Sequence, residues 1–212
     1  MTKVSSPARR RPSAQHSDQP RDRRDPYSIE TLVDVVAHEF LRRGYDATSM
    51  ADISEATGRT KSTIYHYVTG KEELLRLAIS RAVDQLFAVL EEPQSKTGPA
   101  VERLEHVIRR SAQVLSQQLP YVTLLLRVRG NTDTEQWALA RRREFDKRLA
   151  KLVQAAIKEG DVRSDLDPKV VTRLLFGMVN SLTEWFHPDG THPLAEVENA
   201  LVALALEGMR PR

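Results

Sequence analysis

Thr60-Lys61-Ser62-Thr63-Ile64-Tyr65-His66-Tyr67 gathers five hydroxyls, a lysine and an imidazole into one short run, and it is the part of the chain best equipped for directed chemistry. From Arg59 to Lys71 there are three basic residues and no acid, although charged residues make up 29% of the whole. A duplex groove selects for this combination. Base edges are read by short polar and basic side chains, while phosphates are held by lysine, arginine, threonine and tyrosine. Bond-breaking chemistry leaves no comparable signal. His16, His38, His66, His106, His187 and His192 are dispersed, and no His-Glu-x-x-His spacing or glycine-rich phosphate loop occurs. There is no cysteine to serve as nucleophile or thiolate ligand. The chain therefore reads as a binder and not an enzyme, with no metal site and no cofactor expected.

A reading helix must be held at an angle by its neighbours, and the flanking residues supply them. Ile29, Leu32, Val33, Val36, Phe40 and Leu41 make one face of a first helix that Gly44 ends. Ser49 caps a short second helix, with Asp52 three positions on as the partner of a capping box and Met50, Ile53 and Ala56 facing inward. Gly58 breaks it, since glycine takes the left-handed backbone that a sharp turn needs. Thr60 then caps the polar run, whose inward residues are Ile64 and Val68. A long helix follows from Lys71 to about Glu92, with Glu72 and Glu73 opposing the dipole in its first turn. Helix, turn and helix are thus predicted to present residues 60–67 to a major groove.

The run from Ile53 through Gly58-Arg59-Thr60-Lys61-Ser62-Thr63-Ile64-Tyr65-His66-Tyr67 to Gly70-Lys71-Glu72-Glu73-Leu74-Leu75 resembles the signature of the tetracycline-repressor family of transcriptional regulators. Two positions depart from that pattern. Arg59 stands where a small aliphatic is usual and adds a potential phosphate contact. Val68 replaces the usual phenylalanine, which thins the packing under the reading helix. The resemblance implies that Lys61, Ser62, Thr63 and His66 face the bases, while Thr48, Thr60, Tyr65, Tyr67 and Lys71 hold the DNA backbone. For Tyr65 the residues leave packing against the first helix open as an alternative. A second reading from a different class also stays open: a helical adaptor that uses residues 60–67 to contact protein.

Beyond Lys71 the apolar period stays helical, giving an all-α chain of about nine helices: a helix-turn-helix domain at 27–72 and a larger helical domain at 73–212. Pro93 to Pro99 reads as a loop. Asp167-Pro168 starts a helix through Val170, Leu174, Met178, Leu182 and Phe186, and residues 194–209 carry Val197, Leu201, Leu204 and Ala205. These last two helices are the expected homodimer surface, which would pair two DNA half-sites by two-fold symmetry. The resemblance further implies an effector pocket in the second domain and a function as repressor of a palindromic operator. Trp137, Phe145, Phe176, Trp185 and Phe186 are candidate walls. Gly177-Met178-Val179-Asn180-Ser181 and Trp185-Phe186-His187-Pro188-Asp189-Gly190 are similar to a branch of the family that responds to acyl-coenzyme A thioesters. Arg127, Arg129, Arg141, Arg142 and Arg143 are the candidate phosphate partners of such a ligand, and Asn180 a polar contact. Residues 1–26 hold seven basic residues against three acids, with four prolines, and read as a disordered basic arm. No apolar run is long enough to span a bilayer, and a cytoplasmic location is expected.

Overall fold

The computed structural model describes residues 28–211, so the predicted basic arm lies outside the described residues. Among these residues there are ten helices and no strand: α1 (Ile29–Arg43), α2 (Met50–Thr57), α3 (Lys61–Tyr65), α4 (Lys71–Glu91), α5 (Pro93–Lys96), α6 (Ala100–Gln117), α7 (Leu119–Arg127), α8 (Asp133–Glu159), α9 (Pro168–Trp185) and α10 (Leu194–Met209). No helix is long and apolar enough to cross a membrane.

One element corrects the sequence reading. The supposed loop after α4 contains the single helical turn α5. Pro93 at its start sets the backbone for it. The Ser95 hydroxyl donates to the Val89 carbonyl at 2.6 Å, and the Thr97 hydroxyl donates to the Pro93 carbonyl at 3.0 Å. Tertiary contact decides this turn, because four residues cannot hold a helix alone.

α1, α2 and α3 wrap around Leu32, Val36, Phe40, Ile53 and Ile64, all essentially sealed from solvent. Burying each such side chain contributes roughly 1.5–3 kcal/mol. In the larger part α6 is central, packed against α4, α8, α9 and α10. Its inward residues Leu104, Val107, Ile108, Ala112 and Leu115 recur at helical spacing.

Two long-range hydrogen bonds join the small unit to the body, one of them braced from α4. The Tyr121 hydroxyl on α7 donates to Asp34 Oδ1 on α1 at 2.9 Å and accepts from the Arg81 guanidinium on α4 at 3.0 Å. Burial, with Asp34 beside it, pushes the Tyr121 phenol up to about 12, so it remains a donor at any physiological pH. At the start of α4 the Glu72 carboxylate accepts from the Thr134 backbone N–H of α8 at 3.1 Å.

Candidate DNA-binding surface and effector cavity

Local chemistry builds the reading unit. Ser49 and Asp52 form a complete capping box: the Asp52 N–H donates to Ser49 Oγ at 3.2 Å, and the Ser49 N–H donates back to Asp52 Oδ2 at 2.8 Å. These hydrogen bonds, led by the Ser49 hydroxyl, hold the Asp52 carboxyl below its usual range. Arg43 also pairs with it at 2.8 Å and so ties α1 to α2. Gly58 ends α2 at φ 63°, ψ 22°. A side chain there would strain the left-handed backbone. The Ser54 hydroxyl donates to the Arg59 carbonyl and fixes the exit from the turn.

Thr60 caps α3, its Oγ1 accepting from the Thr63 N–H at 3.2 Å and lying 2.9 Å from the Thr63 hydroxyl. Ile64 and Val68 plug this segment into the core. Val68 is only 3% exposed, so the shorter side chain still closes the space beneath α3. That anchoring leaves Lys61, Ser62, Tyr65, His66 and Tyr67 outward. Tyr65 is 50% exposed, which leaves half of its surface open to a partner. Thr60 is exposed, whereas Arg59 and Thr63 are half-buried.

Two residues expected at the DNA backbone have other work. Thr48 is buried, and its hydroxyl donates to the Gly44 carbonyl at 2.8 Å. Lys71 turns its ammonium inward, donating to the carbonyls of Tyr45, Asp46 and Thr48 at 3.1, 3.3 and 3.1 Å. It also lies 4.5 Å from the centre of the Tyr45 ring. An ammonium has three donors, and all three are engaged. Lys71 is therefore a clamp on the turn between α1 and α2, which is why a cation is tolerated in the first turn of α4 despite the helix dipole.

Inside the body, α4, α6, α7, α8 and α9 line a partly open cavity of about 290 Å³. Val83, Leu86, Leu115, Val122, Leu125 and Val179 make it apolar. One wall is a chain of edge-to-face rings, Phe87 to Phe145 at 5.6 Å and Phe145 to Phe176 at 5.3 Å. Arg141 covers the Phe87 ring at 3.9 Å and pairs with Glu144. Its polar lining includes Arg141, Arg142, Asp146, Arg173 and Asn180. Burial raises the Asp146 carboxyl, opposed by the charges of Arg142 and Arg173. Burial likewise lowers the Arg142 guanidinium. Ser111 also lines the space, and its hydroxyl is buried with no hydrogen-bond partner among the described residues. Such an orphaned group offers a hydrogen bond to whatever fills the cavity.

Of the residues expected to line a pocket, Arg141, Phe145, Phe176 and Asn180 do so. Trp137 and Arg127 do not. The Trp137 ring is covered by the Arg76 guanidinium at 3.4 Å. Arg127 is exposed, on a separate crevice beside Gly44 and Tyr45, as is Arg129. Arg143 points to the outside of α8. Trp185 is exposed, and Phe186 is buried outside the cavity lining. Sequence reasoning missed Ser111, Asp146 and Arg173. Ser111 had a visible signal, a hydroxyl at an inward position of the otherwise apolar face of α6.

The two C-terminal helices divide their apolar residues. Leu182, Val197, Leu201 and Ala205, expected at a dimer surface, are buried within the chain. Val170, Leu174, Trp185 and Leu204 stay outside at 55%, 65%, 49% and 71% exposure. Val170, Leu174, Gly177, Ser181 and Trp185 follow one stripe of α9, while Ala200, Leu204 and Gly208 follow one stripe of α10.

Residues 97–209 match the tetracyclin repressor-like C-terminal domain, and residues 32–78 match the bacterial regulatory proteins of the tetR family. The structure of SCO3833, a TetR-family regulator from Streptomyces coelicolor A3, is 53% identical over 88% of this chain and 92% of that one, with a TM-score of 0.81. KstR2, an HTH-type transcriptional repressor of Rhodococcus jostii, is 24% identical over 84% of this chain and 89% of its own length. AibR, solved in complex with isovaleryl coenzyme A and operator DNA, is 24% identical over 84% of this chain and 97% of that chain, with a TM-score of 0.74.

Proposed function

Because the chain belongs to the TetR family of transcriptional regulators, we propose that it is a ligand-responsive repressor that binds a palindromic operator as a homodimer. Small apolar effectors release it, acyl-coenzyme A thioesters foremost. The observation that carries this reading is the coexistence of two features on one framework. An outward, acid-free α3 surface is set by Ile64 and Val68, and a partly open, mostly apolar cavity that also carries arginines is lined by the long helix α4 that follows α3. The complex of AibR with isovaleryl coenzyme A and operator DNA supports the same effector class.

At the operator, Lys61, Ser62, Thr63 and His66 read base edges. Thr60, Tyr65, Tyr67 and Arg59 contact the phosphates. The exposed stripes of α9 and α10 pair with their symmetry mates, as unpartnered apolar surface of this extent favours. Effector binding shifts the population toward a spacing of the two α3 helices that no longer fits successive turns of the duplex. Two routes reach the small unit: α4 itself, and α7, whose Val122, Leu125 and Leu126 line the cavity while Tyr121 grips Asp34.

A mobility-shift assay on the DNA flanking the protein's own gene tests the proposal. A dimer-sized complex that octanoyl-coenzyme A dissociates is the expected result. No complex with any flanking fragment, in a protein shown to be folded, would overturn the operator reading in favour of a protein-binding adaptor. A complex indifferent to acyl thioesters of every chain length would overturn the effector class alone.

A further inference from the structure

The effector cavity has a neighbour. Between α8 and the start of α9 runs a groove of about 960 Å³, bordered by Arg143, Lys147, Lys151, Lys158, Lys169 and Arg173. Only Asp146 and Asp167 oppose these six cations along its lining. Asp167 is already occupied as the cap of α9, accepting from the Lys169 N–H at 2.7 Å and the Val170 N–H at 3.1 Å. The cations of α8 share one face: positions 143, 147, 151 and 158, with Gln154 between, follow steps of four, four, three and four residues. No ion pair engages Arg143, Lys147, Lys151, Lys158 or Lys169 among the described residues, whereas Arg141 and Arg148 on the same helix are paired with Glu144. Like charges gathered without counter-charges repel one another, and a polyanion relieves that repulsion.

Groove and cavity share part of their walls. Asp146 and Arg173 line both. The cavity, at about 290 Å³, is at the lower end of small-molecule pockets and holds an acyl group but not an attached nucleotide. We infer that the α8–α9 groove is a second subsite for the same effector. It takes a flexible carrier bearing several phosphates, while the acyl group passes between Asp146 and Arg173 into the cavity. The inference rests on the cavity being the effector site, and it adds that recognition has two poles. The apolar pole sets which acyl groups fit. The cationic pole favours a carrier with several phosphates over a free carboxylic acid, because a single carboxylate seated by the cavity gains little from cations spread along the groove.

The test is calorimetric titration of the full chain with octanoyl-coenzyme A, octanoate and coenzyme A, at low and high salt. The wild type is compared with Lys147→Gln/Lys151→Gln and with Leu115→Trp, which fills the cavity. The wild type is expected to bind octanoyl-coenzyme A at least about a hundredfold more tightly than octanoate, with affinity falling as salt rises. The double glutamine variant is expected to lose about tenfold for both coenzyme A species, the loss of two charge contacts, and nothing for octanoate. Leu115→Trp is expected to lose the preference for octanoyl-coenzyme A over coenzyme A. Equal binding of octanoate and octanoyl-coenzyme A, or a glutamine variant that binds like the wild type, would overturn the groove and leave the cavity standing. Salt-sensitive binding of coenzyme A with no gain from the acyl group would overturn the cavity as effector site and leave the groove. Binding of none of the three would overturn both.

Discussion

Replacing Lys71 by methionine keeps the length and apolar stem of the side chain but removes the ammonium. Three carbonyls in the turn between α1 and α2 then lose their donor. A hydrogen bond to a charged group contributes roughly 1.5–3 kcal/mol when buried. Here the site is half-buried, and water recovers part of that at each carbonyl, so the total expected loss is about 2 kcal/mol. For a chain of this size that corresponds to a fall in Tm of roughly 4–8 °C. Measurement is by circular dichroism at a fixed protomer concentration, because a dimer's melting point depends on concentration. The salt dependence of operator affinity is measured alongside. A phosphate contact contributes about 0.9 to the slope of log K against log salt, hence about 1.8 for a symmetric dimer. The clamp predicts a lower Tm and an unchanged slope. Lys61→Met alters an exposed side chain and is expected to do the reverse, weakening operator binding while moving stability by no more than about 0.5 kcal/mol. If Lys71→Met instead kept its Tm and lost a slope of about 1.8, the inward geometry would not describe the protein bound to DNA.

Three further outcomes follow from the same geometry. Tyr121→Phe removes the hydroxyl that bridges Asp34 and Arg81, and it is expected to cut the coupling between effector and operator by about 1 kcal/mol, roughly fivefold. That coupling is read as the ratio of operator affinities with and without octanoyl-coenzyme A, and an unchanged ratio would remove α7 from the route. Leu174→Asp places a charge on the exposed stripe of α9 and is expected to yield folded monomers by analytical ultracentrifugation, with operator affinity lowered at least about tenfold. A persistent dimer would relocate the interface. The Asp52 carboxyl, held below its ordinary 3.8 chiefly by the Ser49 hydroxyl, contributes stability that is fully present above that value and disappears as pH falls through the lowered one. Asp52→Asn is therefore expected to lower Tm at neutral pH and to flatten its decline below about pH 4; parallel acid profiles for the two proteins would contradict this.

The reading unit was legible because its determinants are close in sequence. Ser49 and Asp52 are three residues apart, as are Thr60 and Thr63, and Gly58 announces a turn on its own chemistry. The parts that were not legible depend on partners far along the chain. Lys71 meets carbonyls 23 to 26 residues away, and nothing local separates a clamping lysine from a phosphate-binding one. The cavity draws on five helices, so Asp146 and Arg173 become neighbours only once α8 and α9 are packed. Which apolar residues of α9 stay outside was not legible for a related reason. Leu182 and Leu174 look alike in a periodic pattern, yet the packing of α9 against α6 and α8 buries the first and leaves the second outside.

The length of α4 has a mechanical consequence. Its grip on Tyr121 at Arg81 divides the rod unequally, with six residues, about 9 Å, to Phe87 in the cavity wall and ten residues, about 15 Å, to Lys71. For a rod turning about Arg81, a displacement at the short arm would be about 1.7-fold larger at the long one. On the proposed effector reading, a shift of Phe87 would be larger again at the Lys71 end of α4, where the lysine clamp ties the helix to the turn between α1 and α2.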